Sequence, residues 1–375
     1  MVELTVQDDI EHWRPIDAIE SEQETLDRIA AAKSQLGARL RILGHHYQRD
    51  EVLAFADRSG DSYGLSRYAA QERAADYIVF CGVHFMAETA DILTDDEQAV
   101  ILPDLSAGCS MADMAALSQV RRAFRQIRDA TGEPPLPLTY INSSADIKAF
   151  CGEQGGAVCT SSNAANALAW GWQSARRILF LPDEHLGRNT AYKLGVPLEQ
   201  MAVWDPWQPC GGAEAEQLAN TRIILWRGYC SVHQRFLPEH VAFFRERYPD
   251  ARIIVHPECS FEVVQAADEA GSTDYIIKRI TRAAEEEPGS RWAVGTEHHL
   301  VGRLQKRFRE RLNISNLAFT TCNCATMTRI DPLDLAEVLE RLLYGEATNR
   351  IRVRDDVKRW ARVALERMLE IAGGN

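Results

Sequence analysis

No run of about 18 apolar residues, the length a membrane-spanning helix needs, occurs in this 375-residue sequence, so no membrane span is expected. Basic charge is also short: 42 Lys and Arg stand against 54 Asp and Glu, a net charge of −12. That balance argues against nucleic acid as a partner, because such binding rests on a basic face that neutralises phosphates. The late basic stretch from Arg350 to Arg367 alternates with acids and apolar positions at helical spacing and reads as a solvated helix face. Met1 to Pro15 carries Glu3, Asp8, Asp9 and Glu11 and lacks the basic flank and apolar stretch of a signal peptide. The nine cysteines, an odd count, lack the close-spaced framework of a small secreted domain, so the thiols are read as reduced and the cytoplasm is the expected compartment.

What is present is a hydrophobic fraction of 46%, enough for a large core divided into two or three domains. Apolar runs ending in Gly or a polar residue recur at Arg41–Leu43, Tyr77–Cys81, Ala99–Leu102, Leu136–Ile141, Arg177–Leu181, Arg222–Trp226, Arg252–Val255 and Arg291–Val294, and each reads as a buried strand. Between them Met111–Arg128, Pro238–Tyr248, Phe261–Ala270 and His299–Phe308 have helical periodicity. Alternation of this kind is the signature of parallel sheets with helices on their faces. Trp204 to Asn220, with two prolines and a glycine pair, reads as a surface insertion, and Cys210 within it as neither ligand nor catalyst.

Three strands end on similar polar clusters, Gly44-His45-His46-Tyr47, Tyr140-Ile141-Asn142-Ser143-Ser144 and His256-Pro257-Glu258-Cys259. From His45 to Asn142 is 97 residues and from Asn142 to His256 is 114, about one α/β domain each, which points to a divergent threefold repeat. Ligands of open parallel sheets bind beyond the carboxyl ends of the strands, so three such ends would face one central cavity.

Cys109, Cys230 and Cys324 lie far apart in the chain, each among small or polar residues where a strand ends. Three thiolates from distant loops suit a cubane iron–sulfur cluster with one iron left open, whereas a structural zinc site usually takes four protein ligands. Cys109 precedes a helix, whose dipole would favour its thiolate; the plain alternative is an ordinary loop cysteine. Cys230 stands three residues before His233, a pair that is either two metal ligands or one ligand and one substrate contact, unless it is only a capped helix start. Cys322 and Cys324 face opposite sides if the backbone there is extended, so only one easily reaches a shared metal. Cys81 and Cys159 read as core. Glu258, between a histidine and the metal site, is a candidate general acid/base that needs a raised pKa to hold a proton near neutrality; its alternative is a helix cap. Gly271-Ser272-Thr273 and Cys159-Thr160-Ser161-Ser162-Asn163 offer backbone N–H groups and hydroxyls that suit a phosphate; the plain alternative is a common turn for the first and an N-cap for the second.

Taken together, these segments resemble the quinolinate synthase family, from about Arg41 to Met327. Besides the clusters above, the resemblance rests on Gly60-Asp61-Ser62, Phe80 to Glu88, Ala107-Gly108-Cys109-Ser110, Pro182 to Gly187, Cys230-Ser231-Val232-His233 and Gly295-Thr296-Glu297. It implies an α/β fold of three similar three-layer α/β/α domains with short parallel sheets, related by pseudo-threefold symmetry around a central active site. The expected divisions are an N-terminal helical segment 1–36, α/β domains 37–115, 116–230 and 231–324, and C-terminal helices 325–375 packing back on the first domain.

The resemblance implies condensation of iminoaspartate with dihydroxyacetone phosphate to quinolinate on a [4Fe–4S] cluster held by Cys109, Cys230 and Cys324. Cys324 is preferred to Cys322 because it precedes Met327 by three positions, as the family's third cysteine does. His45, Ser62, Tyr140, Asn142, Ser161, His233, His256, Ser272 and Thr273 are implied substrate contacts; Tyr47 and Glu258, with His45, are implied catalytic groups. L-aspartate oxidase or aspartate dehydrogenase is the implied functional partner. Some relatives carry a Cys-x-x-Cys pair near Cys322; here the spacing is Cys-x-Cys, which sets this chain apart from a disulfide switch of that kind. The competing readings are an aconitase-type hydro-lyase and a non-enzymatic iron–sulfur redox sensor.

Overall fold

A computed structural model describes residues 21–373. Of the expected segment 1–36, residues 1–20 lie outside them; within them the helix Glu22–Leu36 starts at a capping box between Ser21 and Glu24.

Three sheets organise the described chain. The first contains β1 (Leu40–His45), β2 (Arg58–Gly60), β3 (Tyr77–Cys81) and β4 (Ala99–Ile101), parallel and in the order β2-β1-β3-β4. The second contains β5 (Leu136–Tyr140), β6 (Ala157–Cys159), β7 (Ile178–Leu181), β8 (Met201–Trp204) and β9 (Ile223–Trp226), ordered β6-β5-β7-β9 with β8 added at the edge. The third contains β10 (Arg252–Val255), β11 (Glu269–Ala270), β12 (Arg291–Gly295) and β13 (Asn313–Asn316), ordered β11-β10-β12-β13. One pattern is therefore used three times: the first strand is inner, flanked by the second and the third, with a fourth beyond. β14 (Arg350–Ile351) returns from the C-terminal part of the chain to pair antiparallel with β4.

All eight expected strands are present, and all eight are interior. A parallel strand covered on both faces reads as a continuous apolar run, as in Ile178–Leu181 and Ile223–Trp226, where every residue is buried. The unanticipated strands β2, β6, β8, β11, β13 and β14 are all at sheet edges and only two to four residues long.

Three expectations are corrected. Met111–Arg128 is not one helix but two, Ser110–Asp113 and Leu117–Thr131. The break comes where Trp226 Nε1 donates to the carbonyl of Met114 at 2.8 Å, a tertiary bond that replaces an intrahelical one. The helix from Phe261 stops at Ala266, because the backbone beyond pairs with β10: Asp268 N–H donates to Ile253 O at 2.9 Å and Gly271 N–H to Val255 O at 3.1 Å. The segment 204–220 is no mere surface insertion: it opens on buried Trp204 at the end of β8, and its helix Ala215–Asn220 buries Leu218.

The terminal elements tie the repeats together. The helix Asp355–Gly373 packs on the helix Ala145–Glu153, where Gly152 allows close approach: a Cβ there would stand 2.0 Å from the Trp360 carbonyl oxygen. Glu22–Leu36 packs on Pro332–Leu343, with Arg28 paired to Glu340 at 2.7 Å. No helix among the described residues is long and apolar enough to cross a membrane.

Candidate active site

One cavity takes side chains from the carboxyl ends of strands in all three sheets. The first sheet contributes His45, Tyr47, Ser62 and Cys109, the second Tyr140, Asn142 and Ser161, and the third His256, Glu258 and Thr273, with Cys230 and Cys324 from the segments that follow β9 and β13. Sequence reasoning missed Asp61, Tyr63, Phe85, Met86, Met111 and Met327 on the same wall. Asp61 had a legible signal, since it caps the helix Ser62–Gln71 by accepting from Gly64 N–H, and its other oxygen accepts from Ser162 of the second repeat at 3.1 Å. The apolar members had none, because their role depends on how the repeats meet.

The turns after β1 and β10 are built alike. Tyr47 N–H donates to His45 Nδ1 at 3.1 Å and Gln48 N–H to His45 O at 3.0 Å; Glu258 N–H donates to His256 Nδ1 at 3.4 Å and Cys259 N–H to His256 O at 3.0 Å. In both, Nδ1 is an acceptor, which assigns the ring proton to Nε2 of a neutral imidazole. Burial, reinforced by neighbouring basic groups, holds both rings neutral, at about 3 for His45 and about 3 for His256. Tyr47 and Glu258 therefore occupy equivalent positions of two repeats.

Tyr47 crosses to the third repeat, its hydroxyl 2.9 Å from Thr273 Oγ1 and 2.9 Å from Thr296 Oγ1. Burial and the Glu258 charge push its phenol well above the ordinary range, so it stays protonated. Glu258 does not carry the raised pKa expected of it. Burial alone would raise it, but the neighbouring His256, His233 and Tyr140 side chains outweigh burial and hold the carboxyl at about 2. Nor does it cap a helix; Ser260 does.

His233 lies one layer behind the wall, stacked on His256 with ring centroids 4.4 Å apart. Its Nδ1 is 2.6 Å from Glu258 Oε2, but the approach is bent off the ring N–H axis, and His233 Nδ1, Glu258 Oε1 and Asn142 Oδ1 remain buried without an aligned partner. Glu258 and Asn142 are on the cavity wall, where buried polar atoms without a partner call for one such as a bound ligand. Ser272 is also off the wall, capping the helix Thr273–Glu286 through a bond from Tyr275 N–H.

The thiols share a local geometry. Cys109 Sγ takes the N–H groups of Ala112 and Met111, Cys230 Sγ that of His233, and Cys324 Sγ those of Met327 and Thr326, always two or three residues onward. Such donors favour a thiolate, yet burial pushes Cys109 up to about 12 and raises Cys230 and Cys324 as well. A bound cation reverses that balance, since coordinating thiols lose their protons outright. This donor set fits a thiolate-ligated metal group: three sulfurs from three separate segments, each with amide donors, on one wall. Cys322, by contrast, is buried in the third repeat's core, Cys81 and Cys159 are core, and Cys210 is exposed at a positive φ of 48°. Cys230, His233 and Glu258 also place donor atoms within 4.8 Å of one another.

Fold and site together define a three-repeat α/β enzyme whose active site is composite, with no single repeat holding it entire. The chain matches the family model described as Quinolinate synthetase A protein over residues 27–370. It is 58% identical over 350 residues to a quinolinate synthase of Acidobacterium capsulatum (92% of this chain, 93% of the relative). It is 55% identical over 349 residues to that of Anoxybacillus flavithermus (93% and 94%), and 52% over 371 residues to that of Geobacillus thermodenitrificans (97% and 99%). The chain belongs to the quinolinate synthase family.

Proposed function

We propose that this chain condenses iminoaspartate with dihydroxyacetone phosphate to form quinolinate, releasing phosphate and water, at the cavity where the three repeats meet. The observation that carries the reading is the convergence of Cys109, Cys230 and Cys324, each with amide donors to its sulfur, on the wall that also presents Glu258. Near-full-length relatives at 52–58% identity support the same activity.

Cys109, Cys230 and Cys324 are the residues that would hold a [4Fe–4S] cluster, which when bound supplies a Lewis acid at its open iron. The remaining chemistry is assigned to the chain. Glu258, ionised and flanked by His256 and His233, accepts a proton from carbon or hydroxyl and returns it in the dehydrations. Tyr47, protonated and held by two threonine hydroxyls, donates to an oxygen during isomerisation or ring closure. His45 and His256 present Nε2–H to substrate oxygens, and Asn142 and Tyr140 complete the polar wall. Ser62, Ser161 and Thr273 offer hydroxyls to a carboxylate or phosphate group. His233 is assigned to orient Glu258, and Ser272 to shape the turn that carries Thr273. Enclosure among three repeats shields a hydrolysable imine from water. We take the repeats to run 37–115, 116–230 and 231–324, with L-aspartate oxidase or aspartate dehydrogenase as the source of the imine.

The test uses anaerobically purified protein with iron and sulfide quantified, supplied with dihydroxyacetone phosphate and freshly generated iminoaspartate. Chromatographic detection of quinolinate is expected; its absence from cluster-loaded protein would refute the reading.

A further inference from the structure

Each repeat has a helix directly after its third strand: His84–Leu93 after β3, Glu184–Lys193 after β7 and His298–Phe308 after β12. From the second turn of each helix a polar side chain reaches the turn that follows the first strand of the next repeat. Glu88 Oε2 accepts from Ala145 N–H at 3.0 Å, linking the first repeat to the second. Asn189 Nδ2 donates to Pro257 O and Cys259 O, both at 2.9 Å, linking the second to the third. Arg303 donates from Nη1 to Gln48 O at 2.9 Å and from Nη2 to His46 O, linking the third back to the first.

The turns that are held are equivalent in register, and Asn189 and Arg303 both stand six residues after their helix caps, Asp183 and Glu297, while Glu88 stands five after Val83. His46 and Gln48 flank Tyr47 as Pro257 and Cys259 flank Glu258, so Arg303 and Asn189 take the same two carbonyls, two residues apart, on turns with the same internal hydrogen bonds. Ala145 stands three residues after Asn142, as Gln48 stands after His45 and Cys259 after His256. The second repeat reverses the polarity: the clasp is a carboxylate that takes the amide. There the carbonyl of Ser143, counterpart of those of His46 and Pro257, is taken by Lys148, which is fully buried with its ammonium 5.4 Å from the Phe85 ring centroid. None of Glu88, Asn189 and Arg303 is on the cavity wall, so each acts through the turn it holds.

We propose that Glu88, Asn189 and Arg303 are positioning residues, one per repeat, which fix the site-bearing turns of their neighbours and close the three repeats into a ring. The catalytic part of the proposal rests on the assignment of Tyr47 and Glu258 to proton transfer. Displacing a reacting group by about 1 Å can cost on the order of 10²-fold in rate, so loss of a clasp should appear in turnover.

The test compares Arg303→Lys, Asn189→Ala and Asp50→Asn in the full-length, cluster-loaded enzyme. Lysine keeps the charge but presents one nitrogen on a flexible stem where the guanidinium uses two, Nη1 on Gln48 O and Nη2 on His46 O. Asp50→Asn removes the ion partner that Arg303 shares with Lys306, at 2.9 and 2.7 Å, and leaves the carbonyl bonds in place. Amide hydrogen exchange should accelerate at 45–50 alone in Arg303→Lys and at 256–260 alone in Asn189→Ala. In both, kcat should fall roughly 10- to 100-fold with KM and the cluster spectrum little changed, while Asp50→Asn stays within about twofold of the parent. Unchanged exchange in either turn, turnover of Asn189→Ala within about twofold of the parent, or a loss in Asp50→Asn equal to that in Arg303→Lys would overturn the proposal. If Arg303→Lys fails to fold, the neutral Asn189→Ala variant decides. If the parent enzyme makes no quinolinate, the functional assignment fails separately, and exchange still decides whether the clasps hold the turns.

Discussion

Replacing Glu258 with Gln keeps the shape of the side chain and removes the one charge that two imidazoles are arranged around. The opposing effects on that charge are burial, which disfavours it, and His256, His233 and Tyr140, which favour it; their net result is a carboxyl moved from 4.5 to about 2. The folded surroundings therefore favour the ionised form. Because the folded value lies below the unfolded one, this stability is present above about pH 4.5 and is lost as pH falls from there to about 2. Glu258→Gln should therefore be less stable near neutrality, with a lower Tm, and the difference from the parent should shrink on acidification. Turnover should fall much further, by about 10²–10⁴-fold, the usual contribution of one acid/base group. The assay is quinolinate formation by anaerobic protein whose iron, sulfide and visible spectrum match the parent, at a temperature where both are folded. A loss smaller than about tenfold would remove Glu258 from proton transfer. Loss of the cluster together with activity would also refute the assignment and make its closeness to Cys230 and His233 a matter of ligation.

Tyr47→Phe deletes the hydroxyl shared with Thr273 and Thr296. It should cost about 1–3 kcal/mol by denaturant titration and at least about 10²-fold in turnover, with the cluster retained. Cys324→Ser should abolish the visible cluster spectrum, whereas Cys322→Ser, in the core of the third repeat, should retain it while lowering Tm; the reverse pattern would exchange their roles. Burial lowers Lys148 from 10.5 to about 8, so it costs stability at neutral pH, and that cost fades as pH rises from about 8 to 10.5. Relative to Lys148→Met, the parent should gain stability between pH 7.5 and 10 by up to roughly 3 kcal/mol in urea midpoints, and no gain would mean the amine is neutral at pH 7.5. Gly228→Ala places a Cβ 2.3 Å from the Pro182 carbonyl oxygen, two residues before Cys230, and should lower Tm together with cluster content; an unchanged Tm would show that the backbone yields there.

The sequence by itself determined the interior of this protein. Strands such as Tyr77–Cys81 and Ile223–Trp226 are buried on both faces, so their identity is written as unbroken apolar runs, and their polar ends announced where a site would form. The three cysteines proposed as cluster ligands and the clusters at His45, Asn142 and His256 were legible for the same reason: chemistry-bearing residues stand where an apolar run stops. Tertiary structure alone decided the edges, since strands of two to four residues such as Arg58–Gly60 and Glu269–Ala270 carry too few side chains to show a period and exist only because a neighbour offers its backbone. It also decided the break before Leu117, made by an indole 112 positions away in the chain, and the low pKa of Glu258, set largely by two imidazoles of which one, His233, lies well outside its own turn. The reciprocal contacts of Glu88, Asn189 and Arg303 belong to the same class. Each is an ordinary polar residue on a helix, and only the closing of three repeats upon one another brings it to the carbonyl or amide that gives it a role.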